Sequence, residues 1–103
     1  MNAGSNRTSA VLILAIATFN LALSLHLTAN GGEQGGDNTK KLRKAARLYE
    51  TGFQLLFEDD SVLDSNDLFV LATVNNLGLV YWQLNERRTA NKCFEYVLST
   101  LMY

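Results

Sequence analysis

The chain has 103 residues, room for one domain, and its 48 % hydrophobic content excludes disorder throughout. Nine basic residues against ten acidic ones give a formal charge of -1, which excludes a binder of nucleic-acid backbone, since that needs a surplus of Lys and Arg. The single cysteine, Cys93, excludes an internal disulfide, and one His beside one Cys is too few for a zinc site, so no metal or cofactor is expected.

Residues 1–9 are polar and read as a flexible N-terminus. An apolar stretch over 10–27 predicts a first helix at 10–28. The glycine-rich segment 30–37 reads as a loop, after which Asp37, Asn38 or Thr39 can cap the next helix. That helix is predicted over 38–57, from a stripe of Leu42, Ala45, Ala46, Tyr49, Phe53 and Leu56 at helical spacing. A connection follows at 60–65, with capping residues Asp64, Ser65 and Asn66. The third stripe, Leu68, Leu71, Val74, Leu77, Gly78, Tyr81 and Leu84, predicts a helix over 66–84 that breaks at Asn85-Glu86. The fourth, Ala90, Cys93, Phe94, Val97, Leu98 and Leu101, predicts one over 87–101. No proline interrupts any of them. The expected fold is all-α, about four helices in two antiparallel hairpins, the first in 10–59 and the second in 66–103.

The two hairpins look like copies. Asn20-Leu21-Ala22-Leu23 recurs as Asn76-Leu77-Gly78-Leu79, an offset of 77 − 21 = 56. In the second helices, Ala45, Tyr49 and Gly52 recur as Ala90, Phe94 and Val97, an offset of 90 − 45 = 45. The difference of 11 is about the length of the glycine-rich loop, as if a loop had been inserted into the first copy. Small Gly78 and Ala90 would let antiparallel helices approach closely, while Leu77, Tyr81 and Phe94 fill the grooves beside them.

In these residues the chain resembles the tetratricopeptide repeat family, whose unit of ~34 residues carries a Leu-Gly pair and a Tyr in one helix, then an Ala and an aromatic in the next. Leu77, Gly78, Tyr81, Ala90 and Phe94 match that motif in type and spacing. The resemblance is strongest over 71–102 and weaker over 15–59. Val74 stands where the family has Trp, Asn85 replaces the usual turn glycine, and no proline follows either second helix. The long connections resemble those of kinesin-light-chain-like variants.

The resemblance implies an α-solenoid fragment that acts as a protein-binding scaffold rather than an enzyme, with a partner peptide or helix in the groove of the first helices. The groove positions it implies are Phe19, Asn20 and Leu23 in the first copy, and Ala72, Asn75, Asn76, Leu79 and Trp82 in the second. Asn20 and Asn76 match the Asn of the clamp that grips C-terminal carboxylates in some members. No Lys or Arg flanks them on the first helices, so an apolar or mixed peptide fits better than an acidic tail. An alternative is that both asparagines bond only to neighbouring backbone.

Catalysis finds no foothold: the glycines lack a following Lys-Ser or Lys-Thr, and no Ser or Cys partner stands out for the lone His26. His26 reads as a surface or C-terminal capping residue, and Cys93 as an inert core thiol. Lys40, Lys41, Arg43, Lys44 and Arg47, like Glu58, Asp59 and Asp60, read as solvated charges. The 10–27 stretch has a rival reading, as a signal sequence or membrane anchor of a small helical protein. Thr18, Asn20, Ser24 and His26 interrupt it, so a buried helix of an intracellular protein is preferred and a membrane is not expected as partner. Finally, the first helix is apolar nearly all round, and Tyr96, Leu101 and Met102 follow the last stripe without cover. Such faces call for a second copy of the chain, a partner, or further repeats.

Overall fold

The structure, a computed structural model, describes residues 3–31, 36–58 and 67–102. Four helices carry nearly all of them: α1 (Ala3–Gly31), α2 (Gly36–Glu58), α3 (Asp67–Gln83) and α4 (Arg87–Met102). No strand occurs among the described residues. Helix α1 packs on α2, α2 on α3, and α3 on α4, so the fold is all-α, two hairpins side by side. The molecule measures 50 × 28 × 16 Å with a radius of gyration of 14.6 Å. A compact globule of this length would have a radius of about 13 Å. The chain is therefore an open slab, and its helices keep faces that no other helix covers.

Helix α1 approaches α2 through small residues. Ala15, Ala22 and Ala29 recur every seven residues along α1 and are all buried. On α2 they meet a surface that includes Ala45, Ala46 and Gly52, where a built Cβ would lie 3.8 Å from Thr18 Cγ2 and 3.9 Å from Ala15 O. Short side chains on both helices allow their backbones to come close. Two threonines of α1 are satisfied within the helix: Thr18 donates its hydroxyl to Leu14 O at 2.7 Å, and Thr28 to Ser24 O at 2.6 Å.

Two apolar clusters make the core. One joins Ala22, Leu42, Tyr49, Leu77 and Val80, so α1, α2 and α3 all contribute. The other joins Ala15, Leu56, Val70 and Val74, with Val97 packed against it from α4. Tyr49 is fully buried. Its ring takes edge-on contacts from Phe19 at 5.6 Å and from His26 at 6.1 Å.

Several helix limits differ from the sequence expectation. Helix α1 starts at Ala3, so the polar turns over 3–9, expected to be flexible, are helical. Hydrophobic periodicity does not register polar residues, and nothing in that stretch breaks a helix. Asn30 and Gly31 end α1, and Gly36 and Asp37 begin α2, so at least these four residues of the loop expected over 30–37 are helical, which leaves 32–35. Those residues lie outside the described ones, as do 59–66 with the capping residues expected there. Asp37, Asn38 and Thr39 sit within the first turn of α2, not before it. Asp37 there offsets the basic run that follows, because a carboxylate suits the positive end of the helix dipole.

The turn between α3 and α4 shows how asparagine replaces glycine. Asn85 has φ 63, the one positive value for a non-glycine among the described residues. Glu86 N donates to Tyr81 O at 2.9 Å and Asn85 N to Trp82 O at 3.1 Å. These are the two crossed bonds of a left-handed helix cap, which satisfy the last free carbonyls of α3. Asparagine bears this conformation at some cost, and glycine bears it freely. Asn85→Gly is expected to raise stability by a few tenths of a kcal/mol, and Asn85→Val to lower it by ~1 kcal/mol or more. Urea unfolding of both variants checks this; a Val variant as stable as wild type would contradict the cap.

Candidate functional site

A groove of ≈ 410 Å³ runs between α1 and α3. Leu23, His26 and Leu27 line it from α1, and Asn76, Leu79, Trp82 and Gln83 from α3. With the sequence offset of 56, Leu23, His26 and Leu27 correspond to Leu79, Trp82 and Gln83. Each set has the spacing i, i+3, i+4, one face of a helix. Two stripes, one from α1 and one from α3, thus face the same space.

Four of the residues expected on this face come together there: Leu23, Asn76, Leu79 and Trp82. Phe19 does not line the groove. It lies in the seam behind, half-buried, with its ring edge-on to Tyr49 and, at 5.3 Å, to Phe69. Asn20, Ala72 and Asn75 are exposed and outside the lining. Asn76 points its amide at the hydroxyl of Tyr49, with Nδ2 donating at 3.5 Å, the far limit of a hydrogen bond. Its partner is therefore a side chain of α2 and not neighbouring backbone. His26, Leu27 and Gln83 join the lining beyond the positions that the resemblance implies. The 56-residue offset carries the signal that would have found them, since it places His26 opposite Trp82.

His26 is buried, which corrects its reading as a surface or capping residue. It lies more than a turn before the end of α1, on the face that meets α2 and α3. Its Nε2 stands 2.9 Å from Gln83 Oε1. An amide oxygen only accepts, so in this arrangement Nε2 carries the proton. Nδ1 is buried and has no hydrogen-bond partner among the described residues. The His26–Gln83 pair is a cross-link between α1 and α3 at the floor of the groove.

Trp82 stands at the rim, 42 % exposed. The guanidinium of Arg87 lies over its ring, 4.2 Å from the centroid, an attraction that holds the indole in place. Leu27 and Leu79 are exposed beside it. The lining carries no Lys, Arg, Asp or Glu. Such a wall suits an apolar side chain flanked by backbone that can bond to Asn76 or Gln83.

A second cleft, of ≈ 260 Å³, lies where α2, α3 and α4 meet, and Glu50, Phe53, Tyr81 and Cys93 are among its lining. Tyr81 donates its hydroxyl to Glu50 Oε1. Burial pushes the Glu50 carboxyl above its usual range, and the charge of Glu86 pushes it further. Burial likewise raises the Cys93 thiol, aided by Glu50, so little thiolate forms near neutral pH, in keeping with a core thiol. Glu86 also pairs with Arg43 at 3.3 Å, an exposed link from α2 to the α3–α4 turn.

The Glu50 shift has a consequence for pH. A carboxyl whose folded-state pKa is raised holds its proton more tightly when folded, so its contribution to stability is fully present in acid. It is lost as pH rises from the ordinary glutamate range through the raised folded value. Glu50→Gln keeps an acceptor for the Tyr81 hydroxyl and carries no charge. It is expected to melt higher than wild type at pH 7 and together with it near pH 4. Thermal melts at the two pH values test this, and a variant less stable at pH 7 would show the ionised form to be the favoured one.

Among the described residues no cluster of three or more His, Cys, Asp or Glu is placed to hold a metal ion. Comparison with known protein families, with curated proteins and with solved structures finds no match to this chain.

Proposed function

We propose that the chain is a non-catalytic protein-binding module of the tetratricopeptide type, which takes a partner's peptide or helix in the groove between α1 and α3. The observation that carries this reading is the lining itself. Two copies of one helix motif present Leu23, His26 and Leu27 opposite Leu79, Trp82 and Gln83, and leave the space between them open. The tight contact at Gly78 and the left-handed turn at Asn85 agree with the spacing of that repeat. An uncharged, partly apolar segment is the partner such a wall favours. The module needs no cofactor, and an intracellular setting suits a protein whose lone cysteine is half-buried in its core.

Trp82 is the only tryptophan in the chain, so its fluorescence reports on the groove. Peptides selected from a random library against the wild-type chain should shift its emission. They should bind Leu79→Glu at least ~10-fold more weakly, because a carboxylate would sit unpaired among apolar contacts. Leu79 is exposed, so the substitution leaves the fold intact, which circular dichroism checks. Selected peptides that bind the variant as well as wild type would refute the groove reading.

One observation favours a second reading. Ser9–Ala29 has a mean hydropathy of 2.1, is long enough to cross a membrane, and is only 17 % buried. Its outer face shows Ile13, Leu14 and Leu27. As an anchor or signal sequence it would leave the other helices on one side of a bilayer. Against this, Ala15, Ala22, His26 and Ala29 are buried against the rest of the fold. Intact mass of the expressed protein and its extraction by alkaline carbonate separate the readings: a cleaved or carbonate-resistant product supports the second.

A further inference from the structure

The second cleft has a counterpart in the first hairpin, and there it is empty of a neighbour. A pocket of ≈ 400 Å³ lies on the outer side of α1 and α2, lined by Leu21, Leu25, Lys44, Arg47 and Leu48. With the offset of 56, Leu21 and Leu25 fall on Leu77 and Tyr81. With the offset of 45, Lys44, Arg47 and Leu48 fall on Thr89, Lys92 and Cys93. All five of these counterparts line the cleft of the second hairpin. Of the four other residues that line that cleft, Val74 and Tyr96 belong to the second hairpin itself, while Glu50 and Phe53 are supplied by α2 of the preceding hairpin. The first hairpin has the same seat, and no described helix enters it. Leu21 is accordingly 54 % exposed, whereas Leu77 is buried.

The structure also shows what shape and chemistry fill such a seat. It takes a helix that offers a glutamate and, three residues on, a large apolar side chain. With the offset of 45, Glu50 and Phe53 correspond to Glu95 and Leu98 on α4. Both are exposed, Leu98 by 58 %, and Asn91, the counterpart of the buried Ala46, is exposed on the same face. So the chain carries an open seat at one end and a matching unpartnered face at the other. Charge agrees with shape. Where Tyr81 meets Glu50 inside the chain, Leu25 stands in the empty seat and offers no hydroxyl. Lys44 and Arg47 stand there instead of Thr89 and Lys92, which puts an additional cation beside the position a glutamate would take.

We propose that copies of this chain associate head to tail, with α4 of one copy, through Glu95 and Leu98, seated on α1 and α2 of the next, against Leu21, Leu25, Lys44 and Arg47. The inference rests on the duplication of the hairpin and is independent of the groove reading. The contact joins two different surfaces, so a dimer keeps one free seat and one free face.

Sedimentation velocity on the whole chain tests the proposal. Wild type should grow with concentration beyond a dimer between about 1 and 100 μM, the range of interfaces of modest strength. Leu21→Glu, which spoils the seat, and Leu98→Glu, which spoils the face, should each be monomeric. An equimolar mixture of the two should form a 1:1 dimer and stop, because one intact seat and one intact face remain between them. Should either variant lose its helical signal, exposed charges supply a second test. Glu95→Lys and Arg47→Glu should each weaken association about tenfold, and the chain carrying both should recover it. A wild-type chain that stays monomeric at ~100 μM overturns self-association and leaves the seat to a helix of another protein. An assembly that survives either apolar-to-Glu change overturns it too, as does a mixture that remains monomeric.

Discussion

Tyr49→Ala is expected to remove ~3–5 kcal/mol of stability, the range measured when a large aromatic side chain is deleted from a core. A domain of this size has about 5–15 kcal/mol in all, so the variant should be largely unfolded at or somewhat above room temperature. The size of the effect follows from position. Tyr49 is fully buried on the middle helix, and its ring is touched edge-on by Phe19 and His26 of α1, while Asn76 of α3 reaches its hydroxyl. Its removal opens a void where three helices meet, and an open slab has no second layer to collapse into it. Tyr49→Phe separates ring from hydroxyl. At 3.5 Å the Asn76 bond is weak, so this change should cost under ~1 kcal/mol. Urea unfolding of both variants gives the answer. A Tyr49→Ala midpoint close to that of wild type would mean the ring is not the keystone that its burial indicates.

Gly78→Leu is expected to cost about 1–3 kcal/mol by overpacking. A Cβ at position 78 would lie 2.6 Å from Phe94 Cε1, 3.0 Å from Phe94 Cδ1 and 3.1 Å from Cys93 Cβ. The phenyl ring can pivot away, but the Cys93 Cβ is fixed to the backbone of α4, so the two helices must separate. Gly52→Ala is the matched control, since its Cβ would meet only ordinary contacts at 3.8 and 3.9 Å. Relief of the glycine penalty within a helix should then stabilise it by ~0.5–1 kcal/mol. Glycine replacements in the two hairpins are thus expected to shift stability in opposite directions. Combining Gly78→Ala with Phe94→Leu should recover much of whatever Gly78→Ala alone loses. A Gly78→Leu variant that melts with wild type would remove the close contact on which the α3–α4 hairpin is built.

The Gly78 contact was legible in the sequence because it is local. Leu77, Gly78, Tyr81, Ala90 and Phe94 lie within one hairpin, joined by a short turn, so helical spacing alone brings Gly78 against Phe94. The same holds for the turn at Asn85, where few residue types accept a positive φ. Helix limits were less legible where no apolar residue marks them: α1 reaches back to Ala3 through polar turns, and the glycines at 31 and 36 belong to helices. Glycine lowers helix propensity by only about 1 kcal/mol, which packing on a neighbour can override.

His26 and Leu21 show the opposite limit. From sequence His26 reads as a surface or capping residue, since it is the lone His near the end of an apolar run. Its burial depends on α3 bringing Gln83 within 2.9 Å, across a separation of 57 residues. Leu21 and Leu77 occupy the same place in the repeat, yet one is exposed and the other buried. No property of either leucine distinguishes them; only the presence of α2 over Leu77 does. The sequence by itself determined four helices, their pairing into two hairpins and the small residues at the hairpin contacts, since these follow from periodicity and short-range spacing. The tertiary structure decided which apolar faces are core, which form the groove and which stay open, because burial depends on neighbours that helical spacing within one segment does not specify.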